Sequence, residues 1–190
     1  MAGAPGAATG ERVTSIWTIG HSTRSLEELV DLLRGHGITV LADVRTLPGS
    51  KRHPQFDRKA LEEELPRHGL RYVHFRALGG LRRPLADSPN LAWRNSAFRG
   101  YADYMQTETW ERAVGELLDL AATERVAVMC AEAVPWRCHR SLLADALVVR
   151  GVEVRHITGK GAPAVHSLTS FAHVEGRRVT YPGSGQLPLG

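Results

Sequence analysis

From Val126 to Arg140 the chain reads VAVMCAEAVPWRCHR, and both of its cysteines, Cys130 and Cys138, fall inside that stretch. Glu132, Arg137, His139 and Arg140 lie there too. A thiol does nucleophilic or metal chemistry as its thiolate, which cationic neighbours and the bare N–H groups of a helix N-terminus favour. The apolar run from Val126, a turn, and a helical pattern from Cys138 to Arg150 predict strand, loop and helix. Cys138 then stands at or near the first helical residue, with Arg137, His139 and Arg140 lowering its pKa further. It is the candidate nucleophile or sulfur carrier. Glu132 and His21 are candidates for moving protons, and Arg137, His139 and Arg140 for holding an anionic substrate. Cys130 reads as the end of a core strand, since free cysteine is among the most buried residue types.

Other chemistry fits the same residues. The strand–Cys–loop–Arg–helix order is similar to the anion cradle of cysteine phosphatases and rhodaneses. Six residues rather than five separate Cys130 from Arg137, however, and Glu132 and Pro135 between them would be unwelcome to a phosphate. A metal, if one is present, would take Cys130, Cys138 and His139. The C-x7-C-H spacing departs from the C-x2–4-C of structural zinc sites, and His139, one residue along a helix from Cys138, should point away from it. A reversible Cys130–Cys138 disulfide is a further option. The cofactor, if there is one, is not readable from the sequence.

Outside this stretch, Asp43 is a candidate general base or acceptor for a ligand hydroxyl; the competing reading is an ion pair with Arg45, itself a candidate anion contact. Gly79 and Gly80 would let the backbone approach a ligand closely. Tyr104 packs on a helix face or sends its hydroxyl into the cleft. The long irregular stretch Arg76 to Ser96 is read as a lid or substrate loop.

These residues need elements to bring them together, and the chain alternates in the required way. Val13–Ile19, Ile38–Val44, Leu70–Phe75, Val126–Cys130 and Val152–Ile157 read as strands. Helices follow at 25–35 (Ser25 capping), 57–67, 100–106, 108–122 (Thr107 capping) and 138–150. The pattern predicts an α/β fold: a single open, mainly parallel sheet of about five strands with helices on both faces, plus a small C-terminal hairpin or arm around Glu175–Gly176. In such sheets ligands bind outside the carboxyl ends of the strands. His21 and Ser22, Asp43 and Arg45, His74 to Arg76, Cys130 and Glu132, and His156 should gather there.

Composition sets the outer limits. With 43% hydrophobic and 23% charged residues, a chain of 190 residues can bury a core without disulfides. We expect one domain over 13–182, with disordered tails at 1–12 and 183–190. No apolar run is long enough to span a membrane and no signal peptide is seen, so a cytoplasmic protein is expected. The net charge of +4 is uneven: residues 45–83 hold ten Arg or Lys against four acids, leaving −2 elsewhere. That block favours an anionic partner, and nucleic acid is one such partner. Only three of the 24 basic residues are Lys, so a general preference for arginine is the plainer explanation. Oligomeric state is not readable.

Several spaced motifs carry a resemblance: Ile19-Gly-His-Ser22; Asp43-Val-Arg45 with Pro48 and Ser50; Leu78-Gly-Gly80; Phe98-Arg-Gly-Tyr-Ala102; Cys130-Ala-Glu132 with Cys138-His-Arg140; and Val174 to Tyr181 before Pro182. Together they resemble the domain-of-unknown-function family 488, over roughly Ser15 to Pro182. The resemblance implies a small α/β protein and carries no assigned activity. Three expectations therefore stand: a cysteine-dependent enzyme acting on an anionic small molecule or nucleotide, a nucleic-acid binding or processing protein using residues 45–83, and a metal- or redox-sensing regulator.

Overall fold

A computed structural model describes residues 14–49 and 52–183. The tails expected over 1–12 and, apart from Gly183, over 183–190 lie outside those residues. Five strands, β1 (Ser15–Gly20), β2 (Val40–Asp43), β3 (Arg71–His74), β4 (Val126–Cys130) and β5 (Glu153–Ile157), pair in parallel in the order β3-β2-β4-β1-β5. A two-residue β6 (Ala164–Val165) adds antiparallel to β5, and β7 (His173–Glu175) with β8 (Arg178–Thr180) forms a separate hairpin. The protein is thus α/β, as its alternating pattern predicts, with a sixth strand too short to leave a periodicity in the sequence.

Two helices, α1 (Leu26–Gly35) and α2 (Arg58–Glu64), cover one face of the sheet; α3 (Ser96–Tyr104), α4 (Glu108–Thr123) and α5 (Arg140–Val148) cover the other. The pleat divides β4 between them. Val126, Val128 and Cys130 pack toward α3–α5, while Ala127 and Met129 pack toward α1 and α2. The expected caps form. Ser25 and Glu28 make a reciprocal capping box on α1, and Thr107 accepts from Trp110 N on α4. Helix α5 begins at Arg140 rather than Cys138, because Pro135–Arg137 forms a 3-10 turn and Cys138 stays extended (φ −140°, ψ 150°).

The topology creates one crevice. After β1 the chain crosses to β2 over the α1 face; after β4 it crosses to β5 over the α5 face. Strands β1 and β4 are neighbours whose connections leave in opposite directions on opposite faces, which is where open α/β sheets bind ligands. Their ladder continues past both strands, with His21 N donating to Cys130 O (3.0 Å) and Ser22 N to Ala131 O (2.9 Å).

The irregular segment 76–95 is anchored rather than loose. Buried Asp103 of α3 accepts from Leu85 N (2.9 Å), Ser88 Oγ (2.6 Å) and Asn90 Nδ2 (2.8 Å), and Tyr101 and Tyr104 donate their hydroxyls to Leu78 O and Ala77 O. No described helix is long and apolar enough to cross a membrane.

Candidate active site

The floor of the crevice is built by the end of β4 and the residues leading into α5. Cys130 Sγ, Cys138 Sγ and a His139 ring nitrogen all lie within 4.8 Å of one another, and all three residues are buried. His139 Nδ1 is 3.5 Å from Cys138 Sγ and 3.9 Å from Cys130 Sγ. The expectation that His139 would point away from Cys138 is therefore corrected. It assumed helical geometry at both residues, whereas the extended backbone of Cys138 turns both side chains to the same side.

The ring is oriented by its own hydrogen bond. His139 Nε2 lies 3.2 Å from Val44 O, and a carbonyl can only accept, so Nε2 carries a proton and Nδ1 is the nitrogen that faces the thiols. Tyr101 packs edge-on against the ring at 4.8 Å, and Gly80 closes its other side. A Cβ on Gly80 would sit 2.3 Å from Nδ1, so no larger residue fits there without displacing the ring.

The two thiols are unlike. Cys138 is held well below the usual thiol range, first by a hydrogen bond from the Cys130 S–H, then by His139 and the charge of Arg140, against the opposing effect of burial. Cys130 is pushed up by that same hydrogen bond, by burial and by the charge of its neighbour. One thiolate with one thiol donating to it is the arrangement these directions describe. Arg140 is almost fully buried, donates to Thr18 Oγ1 (3.4 Å) and Glu132 O, and leaves its Nε without a partner. Gly20 permits that last contact, because a Cβ there would meet Glu132 O at 1.8 Å.

A cleft of about 420 Å³ opens above this floor. Its walls include Thr46, Leu47, Gly80, Leu81, Phe98, Glu132 and Arg137. Leu47 and Leu81 are exposed there, as are Glu132 and Arg137. Neither of those two charged side chains makes an ion pair among the described residues.

The remaining candidates form a second cluster beside the first. Asp43 Oδ1 accepts from Arg45 N (3.0 Å) and Nε (2.9 Å), and its Oδ2 from Arg45 Nη2 (2.6 Å) and Tyr72 OH (2.7 Å). Both carboxylate oxygens are thus engaged in a buried ion pair. His21 Nδ1 donates to Ser22 O, its Nε2 faces Arg45 Nη1 at 3.3 Å, and it stacks on Phe56 at 4.3 Å. Burial lowers its pKa to about 4, so it is neutral at pH 7. No hydrogen bond joins His21 or Asp43 to Cys138. Arg45 reaches the cleft wall, and Gly79 packs against Thr46. Tyr104 lies away from the cleft, under the Arg82 guanidinium at 3.6 Å.

Within the basic block, Arg45, Arg58, Arg67 and Arg71 are paired with Asp43, Glu62, Glu64 and Glu124. Cys130, Cys138 and His139 are also the donors that could hold a thiophilic ion, for which sulfur and nitrogen ligands about 3.6 Å apart suit a tetrahedral site. The buried charge of Arg140 beside them opposes a cation.

The molecule is a doubly wound α/β protein with a thiol–imidazole centre at its topological switch point. A family model described as "Domain of unknown function DUF488" matches residues 25–147, and the chain belongs to that family. No curated protein and no solved structure matches it.

Proposed function

We propose that the protein is a small thiol-dependent enzyme, a transferase or hydrolase, that attacks an anionic small molecule or nucleotide with Cys138. The observation carrying this reading is a thiol drawn toward its thiolate on the floor of a cleft, with a proton-accepting nitrogen 3.5 Å away. His139 takes the Cys138 proton. The thiolate sulfur then bonds to the electrophilic atom of the substrate as the bond to the leaving group breaks; that group departs with the electron pair and receives the proton from His139. Water or a second acceptor releases the bound group and restores the thiolate. Cys130 stabilises the thiolate by donation. Arg137 at the rim attracts the anion, Glu132 is placed to exchange protons there, and Leu47, Leu81 and Phe98 suit the molecule's apolar body.

Iodoacetamide labelling followed against pH, with the metal content of the purified protein measured in parallel, tests this. Cys138 should label with a midpoint below the ordinary thiol value of about 8.5, and Cys138→Ser should abolish that early phase while Cys130→Ala raises the midpoint. Slow labelling with an ordinary midpoint, or one equivalent of tightly bound metal blocking the thiol, overturns the proposal.

A further inference from the structure

Behind Arg140 runs a chain of buried polar groups that no part of the proposed chemistry uses. Thr18 on β1 and His156 on β5 are register partners on the sheet face that α5 covers. Thr18 Oγ1 lies 2.7 Å from His156 Nδ1, and His156 Nε2 lies 2.9 Å from His166 Nδ1. His166, just beyond β6, places its Nε2 2.8 Å from Asp145 Oδ1 on α5. Arg140 Nη1 reaches Thr18 from the other end at 3.4 Å, the longest link. Asp145 also accepts from Thr169 N (2.9 Å) and Tyr181 OH (2.7 Å).

The direction of every link follows from the chemistry of the ends. A guanidinium only donates and a carboxylate only accepts. Asp145 therefore requires a proton on His166 Nε2, which leaves the His166 Nδ1 lone pair to accept from His156 Nε2–H. The His156 Nδ1 lone pair then accepts the Thr18 hydroxyl proton, and the Thr18 oxygen is left to accept from Arg140. The Arg140 end is compatible with this assignment, since the Thr18 oxygen can accept from Arg140 while its hydrogen points to His156; each link then holds one proton and no donors face each other. Burial, with His166 and Arg140 nearby, lowers the His156 pKa to about 4 and keeps its ring neutral, as the chain requires.

We propose that Thr18, His156 and His166 form a one-directional relay joining Arg140 to Asp145, which positions Arg140 as the counter-cation of the Cys138 thiolate. Among the described residues Thr18 is one of two acceptors serving a guanidinium whose Nε has none, so losing it frees the charge to turn away. Because Asp145 also binds Tyr181 and the backbone at Thr169, docking of the segment 164–181 becomes a condition of thiol reactivity. The other ionisable groups around Cys138 are Cys130, His139 and Tyr101, with Arg45, Glu132 and Arg137 in the walls of the same cleft; none of their side chains hydrogen-bonds to the relay among the described residues. The inference rests on the thiolate reading of Cys138, although the relay can be tested without it.

The test pairs a conservative series with a direct view of the protons. Thr18→Val keeps the shape and deletes the hydroxyl, and Thr18→Ser restores it. Thr18→Val should raise the midpoint of Cys138 alkylation by about 1 pH unit, a roughly tenfold loss of rate at pH values below the wild-type midpoint, and Thr18→Ser should return it. Nitrogen-15 NMR should show His156 and His166 both neutral with the proton on Nε2. A proton on Nδ1 of either ring overturns the relay. Correct tautomers with an unmoved midpoint in Thr18→Val overturn its coupling to the thiol. An ordinary wild-type midpoint, with correct tautomers, removes the thiolate reading and this coupling while leaving the hydrogen-bonded chain in place. If Thr18→Val does not fold, Tyr181→Phe, which removes one of the three bonds to Asp145, should raise the midpoint in the same direction; no rise counts against the coupling.

Discussion

Gly80→Ala tests whether the ring of His139 is held as tightly as the contacts around it require. The new Cβ would stand 2.3 Å from Nδ1, 2.6 Å from Cγ and 3.0 Å from Cε1 of that ring, where ordinary contacts begin near 3.4 Å. Roughly 1 Å must be found. The ring cannot yield without cost, since Nε2 is bonded to Val44 O and Tyr101 packs on it. Overpacking of this kind costs about 1–3 kcal/mol, and a turned ring adds about 1 kcal/mol for the lost hydrogen bond. For a chain of this size each kcal/mol lowers the melting temperature by about 2–4 °C, so a drop of about 4–16 °C is expected. Alkylation of Cys138 should shift to higher pH in the same variant, because Nδ1 no longer faces the sulfur. Gly35→Ala, whose Cβ meets nothing within 4 Å, is the control and should leave the alkylation profile unchanged. A Gly80→Ala protein with wild-type melting and wild-type alkylation refutes the reasoning.

Three further outcomes follow from other parts of the molecule. Gly115→Ala, inside α4 with open space at its Cβ, should stabilise the protein by about 0.5–1 kcal/mol, measured by urea unfolding. His21 and His156 both have pKa values lowered by burial from 6.5 to about 4, so between those values the unfolded chain binds more protons than the folded one. Stability should therefore be intact above pH 6.5 and decline as pH falls toward 4; His156→Gln should flatten part of that decline, and a pH-independent urea midpoint would contradict the assignment. Asp103→Ala removes the acceptor of three hydrogen bonds and should cost about 3–5 kcal/mol, with proteolysis appearing first within residues 82–91. Cleavage elsewhere first would show that the segment has other anchors.

Much of this architecture can be read before any coordinates. Ser25 with Glu28, Thr107, and the apolar runs of β1 and β4 announce elements whose local chemistry agrees with their tertiary setting. The strand-to-helix turn at 130–140 stands out because both thiols lie in it. What escapes is long-range. Whether Asp43 is a base or half of an ion pair depends on Tyr72 and the fold of the Arg45 side chain, which spacing does not specify. His139 was assigned the wrong direction because a 3-10 turn at Pro135 delays the helix by two residues. The relay brings together positions 18, 140, 145, 156 and 166, which no local pattern joins. One signal was available: Asp145 is the one acid in α5, a helix buried along nearly its whole length, and a buried charge requires a partner.

The continuation of the β1–β4 ladder past the strand ends divides the site into two parts of different construction. The reacting groups stand on, or within two residues of, backbone that the sheet and α5 hold in place. The walls at 46–47 and 81 come from connecting segments, and those at 97–98 from the first turn of α3. Insertions or exchanges in those segments can therefore alter what enters the cleft without disturbing the sulfur chemistry beneath.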